Sequence, residues 1–223
     1  MRIVFWGSER ECCVTSNMLI LATYFALQRG FRICLVELAE EKKGIDSKFS
    51  ERKRCRRSTR METLFLQRLY LVRKEACRDT EHLFDLERNM DMVFLNLANR
   101  TDEKARELMH NADLVVVNLK QEWRSFDEFY ARYANLSARI FLLIGRYYDG
   151  GSCDKEQIRR KYDIEETQLG VIPNNPEYEI ACSKGQISRY MKKNNPGSMS
   201  AIKSMFFKEV ERTAEVIYER LQL

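Results

Sequence analysis

No run of 18 apolar residues occurs in the 223-residue chain, which excludes a membrane-spanning helix of ordinary length. The chain opens almost at once on the apolar run Ile3 to Trp6, which reads as a strand rather than a secretory leader, so a cytoplasmic location is expected. The seven cysteines (12, 13, 34, 55, 77, 153 and 182) contain no CxxC pair, and His82 and His110 form no closely spaced ligand group with them. That spacing excludes an ordinary zinc site, and an odd count argues against a disulfide framework. Free thiols in a reducing compartment are the simplest account. Adjacent Cys12 and Cys13 would be redox-sensitive only if a helix N-terminus lowered a thiol pKa, a shift that Glu9 and Glu11 oppose. Internal repeats and low-complexity tracts are lacking as well, so one domain over residues 1–223 is expected.

What is present is ordinary for a globular protein: 44% hydrophobic and 32% charged residues. Short continuous apolar runs alternate with helical patterns, which points to an α/β fold, a doubly wound and mostly parallel sheet with helices on both faces. Strands are expected at Arg2–Trp6, Phe31–Leu38, Leu69–Val72, Met92–Leu97, Leu114–Leu119, Arg139–Gly145 and Gln168–Ile172. Helices are expected at Ser16–Arg29, with Gly30 at its C-terminal cap, at Asp79–Arg88, at Thr101–Asn111 with Thr101 as N-cap, and at Ser125–Tyr133. Residues 40–66 are charged and poorly patterned and read as helix with a mobile basic portion. A last helix over Ser198–Leu221 carries Ile202, Met205, Phe206, Val210, Ala214, Ile217 and Leu221 at helical spacing, a stripe that packs on the sheet. Its polar face mixes Lys203, Lys208 and Arg212 with Glu209, Glu211, Glu215 and Glu219, unlike the basic face of a membrane-lying helix.

The stretch Gly7–Asn17, GSERECCVTSN, lies between the first strand and the first helix, where unpaired amides and the positive end of a helix dipole form the usual phosphate cradle. A working phosphate loop needs glycines for close backbone approach, a lysine for charge and a hydroxyl for magnesium. Only the hydroxyls, Thr15 and Ser16, are present. Val14 stands where the lysine belongs, and Arg10, Glu11 and Cys13 fill glycine positions. Two unit charges about 4 Å apart at an effective dielectric near 20 interact by roughly 4 kcal/mol, so Glu9 and Glu11 work against triphosphate binding. A second charged feature is the run Lys48 to Arg60, with Arg52, Lys53, Arg54, Arg56 and Arg57 against the single acid Glu51. It reads as a solvated face or as a surface for nucleic acid, anionic lipid or an acidic protein, with no aromatic interleaved after Phe49.

Four stretches together resemble the ParA/MinD family of deviant Walker A ATPases, in particular its TadZ-like branch: FWGSERECCVTSN, LVELAE, MVFLNL with ADLVVVNLKQEW, and LGVIPNNPEYEIACSKGQISRYMKKN. The resemblance implies a nucleotide site at Gly7, Cys13, Val14, Thr15, Ser16, Arg146, Pro173 and Asn174, and magnesium ligation by Thr15, Glu37 and Asn96. It also places Glu9 where the family has a lysine that crosses a dimer, Val14 at the phosphate-gripping lysine, Glu37 and Ala39 at an aspartate pair, Asn96 at the Walker B aspartate, and Gly145 at an adenine-reading asparagine. With those groups replaced, the expectation is a pseudo-ATPase with no catalytic residues and no cofactor. It would serve protein contacts or localisation with partners such as a related ATPase or a pilus assembly component. The alternative is a nucleotide switch that still holds ATP or ADP with magnesium. Nucleic acid binding through residues 48–60 and a homodimer remain open.

Overall fold

The computed structural model describes residues 1–38, 45–48, 61–65, 68–73, 80–133, 136, 139–194 and 204–222. Arg52, Lys53, Arg54, Arg56 and Arg57 lie outside the described residues, as do Ala39 and Ile202.

The strands are β1 (Arg2–Gly7), β2 (Ile33–Glu37), β3 (Met61–Phe65), β4 (Leu69–Arg73), β5 (Met92–Ala98), β6 (Leu114–Leu119), β7 (Ile140–Tyr147) and β8 (Leu169–Pro173). They form one sheet of order β3-β4-β2-β5-β1-β6-β7-β8. Every pairing is parallel except β3 with β4, which is antiparallel at the edge. The expected doubly wound α/β architecture is therefore present. The helix expected over 40–66 is corrected: residues 45–48 form a single 3-10 turn and Met61–Phe65 a strand. A short connection lets that strand fold back on β4, which an antiparallel partner permits and a parallel one does not.

The helices are α1 (Val14–Tyr24), α2 (Thr80–Asn89), α3 (Glu103–His110), α4 (Trp123–Tyr133), α5 (Lys155–Tyr162), α6 (Pro176–Ser183), α7 (Ile187–Lys193) and α8 (Met205–Gln222). Alternate residues of β1 serve the two faces of the sheet. Ile3 and Phe5 pack with α1, α6, α7 and α8, whereas Val4 and Trp6 pack with α3, α4 and α5. Helix α1 is buried on nearly every side rather than along one stripe, with β1 and β5 of the sheet against it and α8 packed beside it. It passes into a π-helical turn, Phe25–Arg29, and ends at Gly30 with φ 70°, the left-handed conformation glycine adopts without strain.

Two further expectations change. The N-cap of α3 is Asp102, not Thr101: its carboxylate accepts from the Ala105 amide and pairs with Arg100. In α8, Met205 is exposed at 68%, and Phe207 takes its place in the core beside Phe206, Val210, Ala214 and Ile217. Among the described residues no helix is long and apolar enough to cross a membrane.

Candidate functional site

The carboxyl ends of β1, β7 and β8 open onto the N-terminus of α1, and two adjoining concavities of about 660 and 460 Å³ lie there. Both are lined by Cys13, Ser16, Lys48, Arg146 and Cys182. Crevices at this end of a parallel sheet are where such folds take ligands.

The loop from β1 to α1 turns through left-handed backbone at Glu11 (φ 64°) and Cys13 (φ 63°), conformations that glycine would adopt more cheaply. The Cys12 side chain is turned inward. Its thiol donates to the Glu9 carbonyl at 3.0 Å, and a Cβ added at Gly7 would stand 2.2 Å from its sulfur. The turn is thus closed on its own sulfur. Burial pushes the Cys12 thiol up to about 11, against the hydrogen bond to Glu9, and burial also raises Cys13, against the nearby Arg146 charge. Neither thiol has the lowered pKa of a reactive cysteine.

No side chain caps α1 and no acid stands in its first turn. The charges around it differ from those read along the sequence, because Glu9 is paired with Lys120 at 3.0 Å and Arg146 with Glu179. Lys120 is raised chiefly by that hydrogen bond to Glu9. Arg10, Lys48, Lys120 and Arg146 thereby balance Glu9, Glu11 and Glu179, and the repulsion expected from the glutamates is largely neutralised.

Behind the loop the polar side chains bind one another. A bulge between Phe5 and Trp6 on the β1–β5 ladder, with Ala98 at φ 48°, aims the Asn96 side chain at α1. Asn96, fully buried, donates to Thr15 Oγ1 at 3.1 Å and accepts from the Ala98 amide at 3.1 Å. Asn118, its counterpart on β6, accepts from Asn17 Nδ2 at 2.8 Å and donates to the Trp6 and Val116 carbonyls. Both Glu37 carboxylate oxygens lie 3.0 Å from the Ile45 amide. These bonds bring Thr15 and Asn96 together and leave Glu37 holding the 3-10 turn.

The remaining expected residues fall around the same crevice. Val14 and Gly7 belong to the loop wall, and Pro173 lines the concavity next to Asn175. Asn174 does not line it; its amide donates to the Tyr147 carbonyl. Gly145 is pressed by Asn17 Nδ2 and Cys13 Cβ at 2.7 and 2.8 Å from an added Cβ, so no asparagine fits there. Sequence reading missed Asn17, Asn118, Lys120, Asn175 and Glu179, and placed Lys48 in a basic surface run rather than in this crevice. Of these only Asn118 carried a local signal, a lone amide inside the apolar run LVVVNL.

No family model matches the chain, and no curated protein sequence matches it. Solved structures do. The cell division ATPase MinD of Pyrococcus furiosus superposes with TM-score 0.72 at 14% identity over 98% of both chains. The chain has the MinD/ParA fold. A ParA family ATPase from Chlorobium tepidum gives TM-score 0.70 at 13% identity, covering 96% of this chain and 98% of that one. MinD in a MinC:MinD complex from Aquifex aeolicus gives 0.70 at 14% identity, covering 98% and 95%.

Against that fold, the residues present do not suit magnesium and a triphosphate. Val14 is buried and apolar, Cys12 closes the loop, and a neutral amide, Asn96, ties up Thr15. A magnesium ion is best held by carboxylate and hydroxyl oxygens, and here one carboxylate is engaged by backbone and the other position is an amide.

Proposed function

We propose that this chain is a pseudo-ATPase on the MinD/ParA fold that acts through protein contacts rather than phosphoryl transfer. The observation that carries this reading is the Asn96–Thr15 hydrogen bond, which uses internally the two groups aligned with the Walker B carboxylate and the magnesium hydroxyl. Hydrolysis rests on positioned cations around a transferring phosphoryl group, and a buried valine at position 14 supplies none. A protein role accords with the MinC:MinD complex among the similar structures. The TadZ-like stretches narrow that role to localisation or polar positioning in pilus assembly, with a related ATPase or a pilus component as partner.

The test is phosphate release from magnesium–ATP by the full chain. No release above the blank is expected. Release that disappears on Thr15→Ala would overturn the reading.

A second reading has one observation in its favour. The uncapped, acid-free first turn of α1, with Arg10, Lys48 and Arg146 offsetting Glu9 and Glu11 around it, leaves amides open to an anion. A nucleotide held by backbone and Thr15 without hydrolysis requires that Thr15→Ala abolish nucleotide-dependent stabilisation; a Thr15→Ala protein that binds as before removes it.

A further inference from the structure

The opposite end of the strands, at the amino ends of β7 and β8, holds a separate cavity of about 360 Å³. Its walls are Phe129, Tyr130 and Tyr133 at the end of α4, Ile140 and Leu142 of β7, Ile164, Gln168, and two arginines, Arg139 and Arg220. Among the described residues no carboxylate lines it.

The two guanidinium groups are poorly answered. Arg139 Nη1 donates to the Arg220 carbonyl at 3.2 Å, and Arg220 reaches the Thr167 and Ile140 carbonyls at 3.4 and 3.5 Å. Arg220 Nε is buried with no hydrogen-bond partner. Among the described residues neither arginine has a carboxylate within ion-pair distance. Burial pulls the Arg220 guanidinium below its ordinary value, with Glu165 opposing and Arg139 adding to the shift. Arg220 is half-buried with its Nε enclosed and unanswered, and Arg139 beside it is exposed at the mouth of the cavity. The two stand together, beside two phenols and an amide, with aromatic rings around them.

From this arrangement we infer that the cavity is a binding site for a small ring-bearing organic anion, a phosphomonoester or a carboxylate. Its charge sits between Arg139 and Arg220, and its ring lies among Phe129, Tyr130 and Tyr133. A guanidinium fork matches both anion types in two-point geometry, and aromatic walls recognise a flat ring. The site is independent of the crevice at α1, which lies at the carboxyl ends of the strands.

The probes are phenyl phosphate, benzoate and inorganic phosphate, added to the full chain while melting temperature and tryptophan fluorescence are followed. The Trp6 ring stacks edge-on against Tyr133 at 4.8 Å and so reports on the cavity. Phenyl phosphate or benzoate is expected to raise the melting temperature saturably, by about 5 °C or more at roughly 100-fold excess over Kd. Arg220→Gln and Arg139→Gln should each weaken binding at least about 10-fold, whereas Arg146→Gln, in the crevice, should leave it unchanged. Which of the two ring-bearing probes binds identifies the anion. The inference falls if neither probe saturates, if binding survives both arginine variants, or if Arg146→Gln removes it. It falls equally if inorganic phosphate binds as tightly as phenyl phosphate, since the ring walls then contribute nothing. Arg139→Gln serves as the second variant should Arg220→Gln fail to fold.

Discussion

Replacing Thr15 by valine separates a structural role for this residue from a metal-binding one. The side chain keeps its branched shape and loses the oxygen that accepts from Asn96 Nδ2 at 3.1 Å. Asn96 cannot turn its amide over to compensate, because its oxygen already accepts from the Ala98 amide. A buried N–H is therefore left without an acceptor, at a cost of about 1–3 kcal/mol. For a chain of this length each kcal/mol shifts the melting temperature by about 2–4 °C, so Thr15→Val should lower it by roughly 5 °C with no ligand present. A double-mutant cycle sharpens the result. Asn96→Ala should cost more than Thr15→Val, because it removes both bonds of the amide, and adding Thr15→Val to it should cost less than about 0.5 kcal/mol further. If Thr15 instead stood ready for magnesium, the unliganded protein would not notice its loss. An unchanged melting temperature in Thr15→Val, or costs that simply add, would refute the reasoning.

Gly7→Ala should destabilise the protein by about 1–3 kcal/mol, since the new methyl meets the Cys12 sulfur and the Val14 side chain; chemical denaturation of Gly7→Ala with and without Cys12→Ala should show partial rescue. Alkylation of Cys12, followed by peptide mapping, should be slow at neutral pH and accelerate only as pH climbs toward about 11, because burial keeps the thiol protonated. Asp102→Ala should cost about 1 kcal/mol through loss of the α3 cap. The Asp102 pKa is lowered to about 2, chiefly by its hydrogen bond to Arg100 and against a smaller effect of burial. The folded value thus lies below the unfolded one, and its contribution should be full above the ordinary aspartate value of 3.8 and fade as pH falls toward 2 in denaturation curves.

The apolar runs MVFLNL and LVVVNL gave their strands away, because a parallel strand buried on both faces has no polar alternation to blur the signal. The edge strand Met61–Phe65 was hidden by the charged sequence around it, and by a pairing with β4 that only the fold supplies. Helix α5 was missed for a different reason. Its sequence KEQIRRKY buries one apolar residue, Ile158, and it is held instead by an Asp154–Gln157 capping box. Shifting the α3 cap from Thr101 to Asp102 turned on Arg100, whose side chain pairs with the aspartate.

At the site, the lack of a lysine and of glycines in the loop before α1 was legible, because phosphate chemistry demands those residue types at fixed places. What replaced them was not. The Glu9–Lys120 pair joins residues far apart in the chain, so charges that looked repulsive along the loop prove to be compensated. The inward turn of Cys12 depends on left-handed backbone at Glu11 and Cys13, which the sequence does not announce. Asn96 was picked out as a metal ligand by its alignment; only its geometry with Thr15 and Ala98 gives it a structural occupation.

Calorimetric titration of the full chain with magnesium–ATP tests the central claim most directly. With Val14, Cys12 and the Asn96–Thr15 bond in place of the phosphate-gripping groups, no saturable, magnesium-dependent heat is predicted. A micromolar isotherm that needs magnesium and vanishes in Thr15→Ala would contradict it.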